Sequence, residues 1–261
     1  MKVALLFVCL NQQYWPYLEQ VIEDAKKHFL PGHKVDMFVW SDLPEGTTYG
    51  ATVFPTDPVP WPYPTLMRYH LFLNQEDTLK DYDYIFYLDS DMRIVDTVGD
   101  EILGDGITMA EHPMYAIRKE YVPPYEPNKD STAYIPRFGV VVDDHGKPRF
   151  KPLYAAGGFQ GGTATEFIKA MQEMKKMIDT DFANNYTAIW NDESYWNKYL
   201  FEYQGPIRVL SPSYVYPDSI IEEYYVKVWG CNYVPKIITL TKPFTTNKEG
   251  GDVLKDKLAT L

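Results

Sequence analysis

The stretch Tyr84–Asp91, with the sequence YIFYLDSD, decides the fold of this chain. Its first part, Tyr84–Leu88, is a continuous apolar and aromatic run, which is typical of a strand buried on both faces. Asp89 and Asp91 follow directly. In open parallel sheets, ligands bind outside the carboxyl ends of the strands. The sequence therefore predicts a buried strand that carries two carboxylates to a binding edge.

The sequence before this stretch alternates strand and helix patterns. The apolar runs Val3–Leu10 and Val35–Trp40 predict two more buried strands. Apolar residues at helical spacing in segments 18–29 and 66–73 predict the connecting helices, and Pro31-Gly32 ends the first of them. The resulting βαβαβ order predicts a parallel sheet with right-handed crossovers.

The sequence after this unit is less regular. Segment 104–162 is rich in Tyr, Pro and Gly, which indicates a functional loop region. It ends in the run YAAGGFQGG (154–162), which either lets a ligand approach the backbone closely or forms a tight turn. Helical spacing predicts a helix over 167–178 and another that begins at Asp192, and a strand is expected at 207–210.

The composition excludes several classes of protein. Hydrophobic residues make up 45% and charged residues 23%, which is typical of a soluble globular domain. A net charge of −11 disfavours binding to nucleic acid or to an anionic membrane. Two cysteines, Cys9 and Cys231, exclude a disulfide scaffold and favour a reduced compartment. Because no transmembrane run or signal peptide is visible, we expect a soluble, cytoplasmic protein.

Two pairs of carboxylates are candidates for chemistry. Asp89 and Asp91 point the same way as residues i and i+2 of a strand, which suits Mg²⁺ or Mn²⁺; alternatively, they cap the next turn. Asp192 and Glu193 lie at a helix start, where acidic residues also serve simply to complement the helix dipole. Glycine-rich nucleotide loops are absent from the sequence. A bound nucleotide would therefore be held by a metal and by side chains.

Taken in order along the chain, these segments resemble the retaining α-1,3-galactosyl- and N-acetylgalactosaminyltransferases of glycosyltransferase family 6, which includes the ABO blood-group enzymes and bacterial relatives. The resemblance covers nearly the whole chain. The matching segments are KHFLPGH (27–33), WPYPTLMRYHLF (61–72), YLDSDMRIVDTVGDEIL (87–103), EHPMY (111–115), STAYIP (131–136), YAAGGFQGG (154–162), IWNDESYWNKYL (189–200) and LSPSY (210–214).

The resemblance implies an α/β fold of the GT-A type, which binds a nucleotide sugar on a central mixed, mostly parallel sheet flanked by helices. It implies a single catalytic domain over residues 1–261. Residues 1–91 would form the UDP-binding half and residues 92–241 the acceptor-binding and catalytic half, followed by a mobile tail over 242–261. Because the sequence starts at the catalytic core, we expect a soluble bacterial or phage enzyme.

The resemblance also implies roles for individual residues. Asp89 and Asp91 would bind Mn²⁺ or Mg²⁺, which grips the donor diphosphate. Glu193 is the candidate nucleophile, with Asp192 as a donor-sugar contact and Arg68 as the link between the metal-binding acids and the catalytic region. The donor-binding residues would be Phe7, Val8, Cys9, Tyr14, Asp89, Ala156, Gly157, Gly158, Lys236 and Lys242, and the acceptor-binding residues His112, Trp190 and Asp218.

The expected activity is transfer of GalNAc or Gal from the UDP-sugar to the 3-hydroxyl of a galactoside, with or without fucose, in an α-1,3 linkage. Small residues at Ala156 and Gly158 favour UDP-GalNAc. Many bacterial relatives carry Asn-x-Asn and work without metal, so the two aspartates favour metal dependence. Adjacent helical residues point about 100° apart, so we expect Arg68 to pair with Asp192 and leave Glu193 facing the sugar. The alternatives are a UDP-sugar hydrolase and an inactive carbohydrate-binding module.

Overall fold

A computed structural model describes residues 1–117, 123–136, 154–218 and 233–241. In these ranges the strands are β1 (Lys2–Cys9), β2 (Lys34–Ser41), β3 (Thr52–Pro55), β4 (Tyr84–Leu88), β5 (Met92–Ile94), β6 (Ile107–Glu111), β7 (Ala155–Thr163), β8 (Ile207–Leu210), β9 (Tyr216–Pro217) and β10 (Ile237–Thr239). The helices are α1 (Trp15–His28), α2 (Tyr63–Leu66), α3 (Arg68–Leu73), α4 (Glu76–Leu79), α5 (Pro113–Ile117), α6 (Ala164–Ala183) and α7 (Asp192–Glu202).

The larger sheet has the strand order β3-β2-β1-β4-β7-β6-β8. The pairs β1–β2, β1–β4, β2–β3 and β6–β8 are parallel, whereas β7 runs antiparallel to both β4 and β6. The predicted βαβαβ unit is therefore confirmed, as is the mixed, mostly parallel α/β sheet of the GT-A type. A smaller sheet has the order β5-β10-β9.

Both faces of the larger sheet are covered, which explains why its first strand is apolar throughout. Along β1, the side chains of Val3, Leu5 and Phe7 pack on the face that carries α1. Leu6 and its even-numbered neighbours pack on the opposite face, which is covered by α3, α6 and α7. A strand with core on both sides has no polar alternation, so a continuous apolar run is the expected pattern.

The glycine-rich run forms a central strand, β7, so the interpretation as a tight turn was wrong, whereas close approach of a ligand to this backbone stays a prediction. The expectation of an irregular segment over 104–162 was wrong in the same way, because the described part contains β6 and β7; residues 118–122 and 137–153 lie outside the described ranges. A pattern of side chains cannot identify a strand made largely of glycine. Close packing explains the glycine at position 161, since a Cβ there would lie 2.3 Å from Cδ1 of Phe86.

The reversed direction of β7 brings its first residues to the end of β4. The amide of Asp89 donates a 3.0 Å hydrogen bond to the carbonyl of Gly158. On the other side, the Asn197 side chain bonds both backbone groups of Ala155, accepting from the N–H at 2.8 Å and donating to the carbonyl at 2.9 Å. Because Asn197 lies on α7, the start of that helix is held against the same end of the sheet.

None of the helices in the described ranges is long and apolar enough to cross a membrane.

We expect Gly161→Ala to destabilise the protein by about 1–3 kcal/mol, because the added methyl group would overlap Phe86 and the carbonyl oxygen of Ile85. The free energy of unfolding in urea measures this effect. Gly157→Ala is the matched control in the same strand, since its Cβ would lie no closer than 3.3 Å to a neighbour. An equal loss of stability in both variants would contradict this explanation.

Candidate active site

A buried arginine lies at the centre of the candidate site. Arg68, at the start of α3, is 3% exposed. Its Nη1 lies 3.3 Å from Oδ2 of Asp192, and its Nη2 lies 3.4 Å from Oδ1 of Asp89. Its Nε donates to the carbonyl of Thr65 at 3.0 Å, and its guanidinium lies 4.2 Å from the centre of the Tyr87 ring. The expected ion pair between Arg68 and Asp192 is present, and the same side chain reaches the end of β4.

Asp89 lies between the buried cluster and the surface, with a side chain that is 34% exposed. Its Oδ1 accepts a hydrogen bond from the Tyr87 hydroxyl as well as from Arg68. Asp91 is 5% exposed, and its carbonyl accepts from the amide of Leu240 at 3.1 Å. The side chain of Ser90 interacts with the thiol of Cys9, so the end of β1 lies beside the turn 89–91.

Asp192 and Glu193 converge on Gly157 but have different partners. The amide of Gly157 donates to Oε2 of Glu193 at 2.8 Å, while Asp192 faces Arg68. A Cβ on Gly157 would lie 3.4 Å from Oε2 of Glu193 and 3.5 Å from Oδ2 of Asp192. Glu193 is only partly buried, whereas Asp192 is buried. Glu193 is therefore the more exposed residue of the pair.

The cluster contains more acid than base. Burial raises the pKa of Asp192 to about 7, against the opposing effect of Arg68. Burial also raises the pKa of Glu193 to about 7, although Tyr154 and the Gly157 amide stabilise its charged form. For Arg68, burial is the largest single effect and would lower the pKa, but the combined electrostatic effects of Asp192, Tyr87, Asp89 and Tyr69 outweigh it and the net shift is upward. A cation placed here would relieve the repulsion among the carboxylates.

Asp89 and Asp91 are the predicted cation ligands. No group of three or more Asp, Glu, His or Cys side chains in the described ranges is arranged to hold a metal alone. Mg²⁺ and similar ions are often held by one or two carboxylates and complete their coordination with substrate phosphates and water. The partial exposure of Asp89 leaves it accessible to such a ligand.

Of the three predicted acceptor residues, the structure brings two to the cluster. The ring of His112 lies 5.8 Å from that of Tyr154, whose buried hydroxyl lies near Glu193 without a geometrically defined hydrogen bond among the described residues. The carbonyl of Trp190 accepts from the amide of Glu193 at 3.2 Å, and its indole N–H is buried without a hydrogen-bond partner among the described residues. Asp218 instead bonds the amide of Thr241.

His112 is prepared to donate a hydrogen bond. Burial lowers its pKa to about 4, so the imidazole is neutral at pH 7. Its Nδ1 lies 3.3 Å from the amide nitrogen of Met114, which donates to it. The proton of the neutral ring is therefore on Nε2, where it can meet a ligand hydroxyl.

The predicted donor-binding residues at the end of β1 and after it differ in their exposure. The side chain of Phe7 is 0% exposed and belongs to the core, so a contact there would have to come from the backbone. Val8 and Cys9 are also buried, and burial raises the pKa of the Cys9 thiol to about 12. Tyr14 is partly exposed at the end of a 3-10 turn.

The basic residues of the C-terminal segment were expected at the diphosphate. The amine of Lys236 bonds the carbonyl of Thr97 at 2.7 Å and pairs with Glu101. The contacts described for Lys236 therefore hold the start of β10 in place and do not connect it to the carboxylate cluster. Lys242 and the expected mobile tail, 242–261, lie outside the described residues.

The space beside Gly158 is filled by the protein itself. A Cβ there would lie 2.3 Å from Cε of Met92 and 2.8 Å from Oδ2 of Asp89. Glycine at this position is therefore required by the placement of Asp89, whatever the donor sugar. Ala156 is 8% exposed and packs in the core on one face of β7.

Three residues of the cluster were missed in the sequence. Tyr87 lies two positions before Asp89 on β4, so strand alternation could have placed it on the same side. Gln160, the one polar side chain in the glycine-rich run, is fully buried; its Nε2 donates to the carbonyl of Gly157 at 3.0 Å and its Oε1 accepts from Tyr69. Tyr154 adjoins Glu193 only through the fold, and no sequence pattern indicates it.

Comparisons with known proteins agree with this geometry. Residues 60–240 match the model of glycosyltransferase family 6. The chain is 31% identical to rat histo-blood group ABO system transferase 1 over 226 residues, which cover 83% of this chain and 61% of that protein. It is 27% identical to human globoside alpha-1,3-N-acetylgalactosaminyltransferase 1 over 216 residues, which cover 79% and 58%.

A bacterial relative matches over nearly its whole length. The chain is 26% identical to the O-antigen biosynthesis glycosyltransferase WbnI of Escherichia coli over 232 residues, which cover 87% of this chain and 93% of that protein. By contrast, it spans about three fifths of the length of the rat transferases. Because the family model covers the segments that build the carboxylate cluster, from Arg68 to the smaller sheet, we conclude that the chain belongs to glycosyltransferase family 6.

Proposed function

We propose that this chain is a retaining glycosyltransferase that moves GalNAc or Gal from a UDP-sugar to the 3-hydroxyl of a galactoside, forming an α-1,3 linkage. The observation that carries the proposal is the Arg68 cluster, in which one guanidinium pairs with both Asp89 and Asp192, beside Glu193. The name of the human relative supports GalNAc as the sugar and α-1,3 as the linkage.

On the donor side, Asp89 and Asp91 would hold a divalent cation together with the diphosphate. When bound, the cation neutralises the charge that develops on the UDP leaving group. Arg68 orients Asp89, and its positive charge compensates the buried carboxylate of Asp192. We propose that residues 1–91 form the UDP-binding half and that residues 92–241 form the acceptor-binding and catalytic half. The tail, residues 242–261, follows them.

Glu193 would act at the face of the sugar opposite the leaving group. As a nucleophile, its carboxylate forms a bond to the anomeric carbon as the bond to UDP breaks, and the acceptor oxygen then displaces it. As an electrostatic group, it stabilises the positive charge of an oxocarbenium-like state while the acceptor enters on the side of UDP. The hydrogen bond from Gly157 orients Oε2 for either role.

On the acceptor side, we assign two donors of hydrogen bonds to the galactoside. They are the Nε2–H of His112 and the indole N–H of Trp190, which has no partner in the described part of the chain. A galactoside offers both hydroxyl acceptors and an apolar face, and aromatic side chains with a polar atom suit this combination.

The donor is proposed to be UDP-GalNAc in preference to UDP-Gal. The name of the human relative supports this choice. Because Met92 and Asp89 fill the space beside Gly158, a larger residue there would also displace Asp89. Donor choice is therefore best tested with the native chain.

The deciding experiment measures UDP release from UDP-GalNAc and UDP-Gal, with and without a panel of galactosides. We expect release to depend on the galactoside, with a linked α-1,3 product identified by NMR and a faster rate for UDP-GalNAc. Equal release without any acceptor would identify a UDP-sugar hydrolase. Absence of release with every donor and acceptor, in a protein that binds galactosides, would identify an inactive binding module.

We expect transfer to stop in EDTA and to return with Mn²⁺, because two carboxylates beside a diphosphate repel it unless a cation intervenes. Asp91→Asn should also abolish the Mn²⁺ dependence of UDP binding measured by calorimetry. Asp83→Asn is the matched control, since Asp83 precedes the opposite end of β4 and bonds the amide of Lys2. Full transfer in EDTA would contradict metal dependence.

We expect Glu193→Gln to lower kcat by about 10²–10³-fold, the usual cost of losing one preorganised electrostatic group. UDP affinity should change little, because the effect is confined to the transition state. Glu202→Gln, at the far end of α7, is the control and should keep normal turnover. Near-normal turnover in Glu193→Gln would transfer the proposed role to Asp192.

The same variant should be more stable than the native chain at pH 8. The pKa of Glu193 rises from 4.5 to about 7 on folding, so the native state binds this proton more tightly than the unfolded state. Native stability therefore falls as the pH rises from about 4.5 to 7, and the full penalty remains above pH 7. We expect a gain on the order of 1–3 kcal/mol at pH 8 and a much smaller gain at pH 5. Urea unfolding at both pH values measures it; the same gain at both would contradict the pKa assignment.

A further inference from the structure

Two buried carboxylates outside the Arg68 cluster hold the loop that leads into α7. Glu126 is 1% exposed. Its Oε2 accepts from the amide of Ile189 at 2.7 Å, and its Oε1 accepts from the hydroxyl of Tyr186 at 2.8 Å and from the amide of Asn128 at 2.8 Å. Two of these three donors belong to the loop 184–191, which connects α6 to α7.

The second carboxylate is linked to the same loop through the hydroxyl of Tyr195. Asp181, near the end of α6, is 0% exposed. It accepts from the hydroxyl of Ser131 at 2.6 Å, from the amide of Thr132 at 2.8 Å and from the hydroxyl of Tyr195 at 2.9 Å. The Tyr195 hydroxyl in turn accepts from the amide of Ala188 at 3.4 Å. Segment 126–134, loop 184–191 and α7 are thus joined through two acidic side chains.

The loop needs external support because its last residue has an unfavourable backbone conformation. Asn191 has φ 51° and ψ −131°, a combination that residues with a side chain rarely adopt. Such conformations persist only when the surrounding structure imposes them. Asn191 separates Trp190 from Asp192, so its conformation sets the direction of the indole relative to the carboxylate cluster.

Stability alone is a poor explanation for these two acids. A buried charge that is fully hydrogen-bonded often contributes no more to stability than apolar side chains of similar size would. What six directed hydrogen bonds provide is a fixed geometry between separate chain segments. The segments joined here carry Trp190, Asp192 and Glu193.

We propose that Glu126 and Asp181 are positioning residues for acceptor transfer: they hold loop 184–191 so that Trp190 meets the acceptor while Glu193 faces the donor sugar. This inference rests on the proposed function. It gives the two acids no contact with substrate, and it separates their role from that of the Arg68 cluster, which binds the donor.

The test compares Glu126→Gln and Asp181→Asn with Asp24→Asn. Asp24 is also buried, at 4% exposure, and its carboxylate accepts from Arg93, Gln20 and the amide of Ile94 on the opposite face of the sheet. We expect kcat/KM for the galactoside to fall roughly 10–100-fold in Glu126→Gln and Asp181→Asn, since a displaced binding group has such effects. The calorimetric affinity for UDP should stay within about twofold of the native chain, and Asp24→Asn should keep native kinetics.

Hydrogen exchange gives a second readout that does not depend on activity. The amides of 186–194 should exchange faster in Glu126→Gln and remain as in the native chain in Asp24→Asn. Tyr186→Phe removes one donor to Glu126 without leaving an unpaired buried amide, and it should show the same changes to a smaller extent if the stronger variants fail to fold. Native exchange over 186–194, or kinetics that match Asp24→Asn, would overturn the inference. If the native chain transfers no sugar, the proposed function fails, and the exchange rates alone decide whether Glu126 and Asp181 hold the loop.

Discussion

The burial of one guanidinium between Asp89 and Asp192 is the constraint on which the rest of the site depends. Arg68 is 3% exposed and contacts groups from three separate parts of the chain, the end of β4, the start of β7 and the start of α7. If any of these elements shifted, a buried charge would lose its partner, which is strongly destabilising. The ion pairs therefore fix the relative positions of the elements that hold Asp89 and Glu193.

The glycine-rich strand β7 makes this arrangement possible. Because β7 runs antiparallel to β4, its residues 157 and 158 lie directly beside Asp89. Glycine at these two positions leaves room for the carboxylates of Asp89, Asp192 and Glu193 around one short backbone segment. A parallel strand in this place would have presented its opposite end to the site. The single reversed strand in a mostly parallel sheet thus has a chemical consequence as well as a topological one.

The sequence predicts the parts of this structure that depend on side-chain hydropathy. The strands β1, β2 and β4 appear as apolar runs because both faces are covered, and α6 appears in the spacing of Phe167, Ile168 and Met171. The strand β7 could not be found in this way, since glycine has no side chain to alternate. The pairing of Arg68 with Asp192 followed from family resemblance and helix geometry, whereas the contact of Tyr154 with Glu193 arises only when distant segments fold together.

The raised pKa of Glu193 gives the proposed mechanism its selectivity for the transition state. A carboxyl group with a pKa of about 7 in the free protein has no strong positive partner of its own, since Asp192 lies closest to Arg68. Positive charge that develops on the anomeric carbon supplies that partner. The attraction is then greatest when the bond to UDP is breaking, and it is small in the ground state. Interactions that strengthen only in the transition state raise kcat rather than tighten substrate binding. In the proposed mechanism, the unfavourable electrostatics of the resting cluster would thus be converted into stabilisation of the transition state.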